Sequence, residues 1–411
     1  MAMNINRLSA ELKTWEPTTL KEDVQTLREL IGRTIKVGYG TLSDDQPHRV
    51  ILTANRNHSD MSVELNQQCN GIVLEYPSWE VLAVPPPILN PRFRVSDIKR
   101  HLSKYTIYKA QDGTLITMYW WRGEWRYSTS HGYDMGRVQW LGETTYSEAI
   151  NKQLGGEFDF AQLNKRHCYT FLFRHHEFHP LLTSPEGVWL IQEYDLDIMQ
   201  PIMDTQLDGV HKQQRRDLAL NSADSVNRAV NALLDENTNA LQSYLDGAKK
   251  TSAPVHYGYV LRGSFSACGT YANIMLESSL LKYVRKCMYN FPKGNAALSD
   301  ATHANKLEYM VLQGWLNAQT RATFMKLFPQ YSDKYKRYDA LIDDIASRII
   351  DNMKNKDTPP STPNTPQAYA NLMTTFASHV IGPYEKTTRL VINDFIANPS
   401  NIDGLYRIVT N

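Results

Sequence analysis

Very little in this chain is present in excess, and the scarcities narrow its class. Four cysteines, Cys69, Cys168, Cys268 and Cys287, lie far apart and form no CxxC pair. That excludes a disulfide framework and predicts free thiols in a reducing compartment. No apolar run approaches the ~20 residues that a membrane span needs, and no apolar leader opens the sequence, so a cytoplasmic protein without a membrane partner is expected. Charge of one sign is lacking too: 44 Lys+Arg stand against 43 Asp+Glu, a net charge of +1. Any grip on a nucleic acid must therefore come from a local basic surface. Aromatic residues, by contrast, are plentiful, with 23 Tyr, 12 Phe and 8 Trp in 411 residues. They serve either as core or as stacking surface for bases, and the length is ample for two or three domains.

Along the chain, "TLKEDVQTLRELI" at 19–31 opens with Thr19 and Glu22 at capping-box spacing and carries Leu20, Val24, Leu27 and Ile31 at helical period. Short alternating strands then dominate: "TIKVGYG", "RVILTA", "NGIVLEY" and "EVLAVP". "TLITMYWW" and "EWRYSTS" flank "RGE", the signal of a β-hairpin with Gly123 in its turn. "CYTFLFRHH" and "GVWLIQEYDL" form a further strand pair, residues 219–250 read as a helix, and "HYGYVLRGS" and "TYANIML" return to strand. From about Ser278 the pattern is helical, with Leu341, Ile342, Ile345, Ile349, Ile350 and Met353 on one stripe. "DTPPSTPNTP" at 357–366 is a linker that no helix continues through, and a second helical stretch follows to about Asn398. The expected architecture is α+β: a mixed, largely antiparallel domain over 1–290, then an all-α C-terminal domain over 291–411.

Four segments carry a resemblance. "CNGIVLEY" precedes "VPPPILNPRF"; "KAQDGTLITMYW" precedes a hairpin and "STSHGY"; then come "YTFLFRHH" with "VWLIQEYDL", and last "HYGYVLRG" with "LLKYVRKCMY". This order resembles the ATP-dependent RNA ligases of the phage tRNA-repair type, within the covalent nucleotidyltransferases. The resemblance implies a nucleotidyltransferase domain with a helical C-terminal domain. It also implies a lysine nucleophile that attacks the α-phosphate of ATP, carboxylates that hold a divalent metal, and cations that neutralise phosphate.

The chain departs from that pattern at the chemistry. The KxDG motif matches Asp112 and Gly113, but Ala110 stands where the lysine belongs, and Lys109 comes one place early. Neighbouring strand residues point to opposite faces, so Lys109 serves only if a one-residue bulge re-aims it. The F-E-F carboxylate is Leu172, with Arg174 two places on; the E-G-Y-V carboxylate is Tyr257; the arginine before Gly-Ile is Asn70; and His131 stands at a lysine position. The late KxK maps onto Tyr283 and Arg285, with Lys282 and Lys286 alongside. A designed knockout would show one alanine, whereas here the nucleophile and both carboxylates are lost together. The expectation is a catalytically degenerate, viral (phage) RNA-ligase-like protein. It would bind single-stranded or tRNA-like RNA, or a nucleotide, through Lys109, Asp112, His131, Tyr257, Arg262, Lys282, Arg285 and Lys286, with Tyr257, Tyr259 and Tyr283 as stacking faces. No cofactor is expected on that reading. ATP and Mg²⁺ belong to the alternative, an active ligase using Lys109. A third reading is a protein-interaction module that presents the "WWRGEW" tryptophans to a partner.

Plainer readings stand beside these. Asp112-Gly113 alone is an ordinary β-turn signal. "HHEFH" would align His175, Glu177 and His179 on one strand face, but its spacing matches no standard zinc pattern, and no metal site is expected. "KRHLSKYTIYK" and "KLFPQYSDKYKRY" interleave basic and aromatic residues, which suits phosphate and bases or, for the second segment more readily, a solvated helix face over buried rings.

Overall fold

A computed structural model describes residues 3–39, 48–55, 58–90, 93, 96–98, 102–110, 113–136, 144–155, 158–175, 178–179, 186–202, 258–278, 282, 303–317, 321–354 and 405–406. The chain separates into two compact units, residues 1–241 with 252–282 and residues 242–251 with 283–411. The expected helices over 219–250 and 368–398 and the 357–366 linker lie outside the described residues.

The first unit opens with helices α1 (Ile5–Leu12) and α2 (Leu20–Ile31). The Thr19 hydroxyl caps α2 by accepting from the Glu22 N–H, and Val24, Leu27 and Ile31 are buried, as the spacing predicts. A four-stranded antiparallel sheet follows, β1 (Ile35–Tyr39), β2 (His48–Ala54), β3 (Asn70–Tyr76) and β4 (Val81–Ala83), in that order, with α3 (Glu64–Gln68) leading into β3. The next strand, β5 (Thr106–Lys109), pairs with neither neighbour in sequence. It forms a three-stranded sheet with β11 (Gly258–Arg262) and β12 (Asn273–Glu277), in the order β12-β11-β5. Between these lies a five-stranded sheet of β6 (Thr114–Trp121), β7 (Glu124–Ser128), β8 (His167–Arg174), β9 (Gly187–Asp195) and β10 (Gln200–Ile202), in the order β10-β9-β8-β6-β7. The strands on either side of Asp112-Gly113, β5 and β6, thus belong to different sheets.

Strand alternation gives the five-stranded sheet two cores. Ile116, Met118, Phe171 and Phe173 pack under α4 (Tyr146–Leu154), whose Thr145–Glu148 capping box closes its first turn. Tyr119, Trp121 and Cys168 face the four-stranded sheet instead. A buried cation braces these two sheets. Arg49 of β2 pairs with Asp134 at 2.8 Å, donates to the Tyr119 hydroxyl at 2.9 Å, and lies 4.3 Å from the Trp121 ring centroid. Burial pushes the Tyr119 hydroxyl up to about 12, although Arg49 beside it pulls the other way. The hairpin is as expected: Trp121 pairs Glu124, and Arg122 (φ +52°) and Gly123 (φ +88°) fill a two-residue turn that needs positive φ at both places. Cys69, Cys168 and Cys268 are free and buried, Cys268 at the end of the short helix α5 (Phe265–Cys268).

"HHEFH" departs from expectation. Strand β8 ends at Arg174, and the Phe178 and His179 N–H groups both donate to the His175 carbonyl, so His175 and His179 do not continue the strand; Glu177 lies outside the described residues. His175 and His179 consequently have no common strand face, and among the described residues no group of three or more His, Cys, Asp or Glu side chains suits a metal ion.

The described part of the second unit is helical: α6 (His303–Leu316), α7 (Arg321–Leu327) and α8 (Ser332–Lys354). Buried Glu308 of α6 pairs with Lys334 and accepts from the Tyr338 hydroxyl at 2.7 Å, which ties α6 to α8. Phe328, Tyr335 and Tyr338 are buried and Tyr331 is half-buried, so in "KLFPQYSDKYKRY" three of the four rings are core. No described helix is long and apolar enough to cross a membrane.

Candidate functional site

At the crossing from β5 to β6 the backbone is tightly specified. The β5–β11 ladder runs from Thr106↔Arg262 to Tyr259↔Lys109 without a shift, and the Ala110 N–H then donates to the Gly258 carbonyl at 2.8 Å. Ala110 is buried. Gly113 has φ +148°, and a Cβ there would stand 2.8 Å from the Phe173 carbonyl oxygen, because the start of β6 is pressed against β8. Beside it, Leu172 is buried between its ladder partners Leu115 and Trp189. Arg174, two places on, is buried with its guanidinium 5.1 Å from the Trp189 ring. A magnesium ion is held by oxygen donors. Leu172 offers none and Arg174 brings positive charge, so these residues do not fit such an ion.

A second region is largely polar. Lys36, Thr53 and Asn70 occupy one row across β1, β2 and β3, since Lys36 pairs Thr53 and Thr53 pairs Asn70. With Ala54, Asn55, Ser130 and His131 they line a cavity of about 250 Å³. Its wall depends on Gly71, where φ is +101° and a Cβ would stand 2.7 Å from both the Ser130 Cα and the Thr129 carbonyl oxygen. A side chain at 71 would push the 129–131 segment away. The Thr53 hydroxyl donates to the Ser130 carbonyl at 2.5 Å and holds that segment down. Asn70 turns its amide to the Pro86 carbonyl at 2.9 Å. Lys36 is exposed and makes no ion pair with another described residue. The cavity thus unites Asn70 and His131, two positions where the ligase pattern has cations, with Lys36, which no motif marks. Lys36, Thr53 and Asn55 escaped sequence reasoning because only strand register puts them there.

The other expected contacts are scattered. Arg262 directs Nη1 to the Pro87 carbonyl and to Asn273 Oδ1, each at 2.9 Å, and so pins the third sheet to the 84–90 segment. Lys282 is exposed. Tyr259 is buried in the core of the third sheet, where burial raises its hydroxyl pKa; it packs there and offers no open face for a base. Lys109 is described in its backbone, opposite Tyr259. Asp112, Tyr257, Tyr283, Arg285 and Lys286 lie outside the described residues.

No protein-family model matches the chain. Two proteins of African swine fever virus, each named "Putative RNA-ligase", do. One is 28% identical over 341 residues, covering 76% of this chain and 73% of the relative. Another is 29% identical over 350 residues, covering 78% and 75%. The chain resembles RNA ligases. The resemblance spans most of an RNA-ligase-like viral relative and is not confined to one motif. Among solved structures, an archaeal ATP-dependent RNA ligase matches at TM-score 0.39 and 12% identity over 79% of each chain.

Proposed function

We propose that the chain is an RNA-ligase-like protein that binds RNA or a nucleotide without forming lysyl-AMP. The observation that carries this reading is the crossing at 110–113. The nucleophile position is a buried alanine whose N–H closes an unshifted ladder, and the neighbouring carboxylate position is a buried leucine. Adenylation needs an amine poised on the α-phosphate, and Ala110 has none. The alternative of a Lys109 nucleophile requires a bulge that re-aims the residue. The regular pairing of Thr106–Lys109 with β11 speaks against that. Binding is supported by the cationic, polar cavity beside His131 and by the viral relatives' likeness to RNA ligases. Incubation with labelled ATP and Mg²⁺ or Mn²⁺ tests the first half, with no protein–AMP adduct expected in the mass spectrum; an adduct overturns it. Gel shift with single-stranded RNA tests the second half. The expected binding is modest and weakens as salt rises, because each neutralised phosphate releases counterions. Absence of binding at low salt overturns that half.

A further inference from the structure

We infer that the three-stranded sheet is a separate lobe that moves as one body against the four-stranded sheet, and that Gln67 and Asn90 are the latch between the two. Each sheet has its own core. Ile98, Ile107, Leu261, Ile274 and Leu276 pack with Tyr259, and none of them belongs to the core that the four-stranded sheet shares with α1 and α2. What joins the two is a polar seam. Gln67 of α3, 1% exposed, donates from Nε2 to the Thr270 carbonyl at 3.1 Å, while its Oε1 accepts from Asn273 Nδ2 at 3.2 Å. Asn90, equally buried, donates from Nδ2 to the same Thr270 carbonyl at 3.1 Å and from its N–H to the Asn273 carbonyl at 2.7 Å. Arg262 crosses in the other direction to the Pro87 carbonyl. Asn90 and Ile274 form an isolated bridge, not a ladder. Such a seam opens differently from an apolar core. Water takes over the hydrogen bonds of separated amides, so each contributes little net, whereas parted apolar faces are disfavoured in water. Polar interfaces between bodies with separate cores are those across which relative motion is expected. Within the lobe, β11 pairs with β12 and with β5 without a shift, so the lobe travels intact. Its position matters at the crossing. The Ala110 N–H is bonded to Gly258 of the lobe, and Leu172 belongs to the five-stranded sheet, so release of the latch alters the spacing between them.

The test is hydrogen exchange resolved to single residues on the full chain, free and with a short single-stranded RNA. In the free chain the Asn90 N–H should be at least about tenfold less protected than the amides of the β2–β3 and β11–β12 ladders, since it opens with the seam and they do not. Asn90→Asp keeps the backbone bond and the shape of the side chain but loses the donating amide. It should lower protection at residue 90 by about a further tenfold, the scale of one lost hydrogen bond, and leave both ladders unchanged. If that variant does not fold, the exchange of the parent chain decides the matter. An Asn90 N–H as well protected as the ladders overturns the inference. Amides of β11 and β12 that exchange together with Asn90 also overturn it, because the lobe then unfolds and does not move as a body. RNA held at the crossing touches both bodies and should slow exchange at Asn90. RNA that binds without slowing it overturns the coupling of the latch to the crossing and leaves the reading of RNA binding intact, whereas the free-chain comparison holds whether or not RNA binds.

Discussion

At the crossing from β5 to β6 the backbone of Ala110 and Gly113 is held to close tolerance while the side chains at 110 and 172 are small or apolar. Gly113 keeps a conformation that only glycine adopts comfortably, yet Ala110 and Leu172 offer neither a nucleophile nor an oxygen ligand. At the cavity beside His131 the backbone is held as tightly, through Gly71 against Ser130, but the lining remains polar and positively charged. The difference separates two kinds of constraint. Glycines of this sort are fixed by close backbone approach, which no neighbouring residue can supply for them. Charge acts over several ångströms, so a cation lost from one strand can be replaced from the same row of another. Covalent chemistry has no such latitude, because a nucleophile must stand at one point.

The largest expected effect would break this contrast outright if it failed. Ala110→Lys should form no AMP adduct and join no RNA, since Leu172 still denies the metal its carboxylate. It should also lower stability by about 1–3 kcal/mol, as overpacking of a buried small residue does. Efficient joining by this single variant would mean that the crossing is one residue from activity.

Next come the glycines. Gly71→Ala and Gly113→Ala should each cost on the order of 3 kcal/mol in urea unfolding, from strained φ and a backbone clash together. Only Gly71→Ala should also displace His131 and weaken RNA binding. Equal effects of both variants on binding would erase the distinction between the two regions.

The brace between the sheets predicts a smaller effect. Burial alone would raise the Asp134 carboxyl, but the bonds from Arg49 and the Gly136 N–H, with Arg126 nearby, hold it below its ordinary value. A depressed carboxylate pKa contributes stability that is complete above the unfolded value of about 4 and is lost as pH falls through the folded value. Asp134→Asn should therefore lower stability by about 2 kcal/mol at pH 7, with the difference from the parent chain shrinking in acid. A gap that stays constant from pH 7 to pH 2 would show that the ion pair contributes nothing.

The smallest effect belongs to a region remote from both. Lys165 lies 4.2 Å from the Trp120 ring centroid on the hairpin. Lys165→Ala should change stability by about 0.5 kcal/mol, the scale of an exposed cation–π contact, and should leave RNA binding unaltered. Lost RNA binding there would move the interface to the tryptophan hairpin.

Much of this was already written in local sequence. Alternation marked the strands, Thr19 and Glu22 marked the start of α2, and Arg122-Gly123 marked the hairpin, because these depend on residues a few places apart. The absence of a lysine at 110 and a carboxylate at 172 is likewise a matter of residue identity, once the motif order is recognised. What the sequence could not decide was which strands become neighbours. That β5 and β6 belong to different sheets, that strand β8 stops at Arg174, that Tyr259, Phe328, Tyr335 and Tyr338 are packed inward, and that Arg262 pins a loop all follow from contacts between distant segments. The cavity is the clearest case. Lys36, Thr53, Asn70 and His131 share one wall only because antiparallel register sets β1, β2 and β3 side by side and Gly71 lets a distant turn close over them. Register is settled by the burial of whole sheet faces, a property of the assembled sheets that no single segment contains.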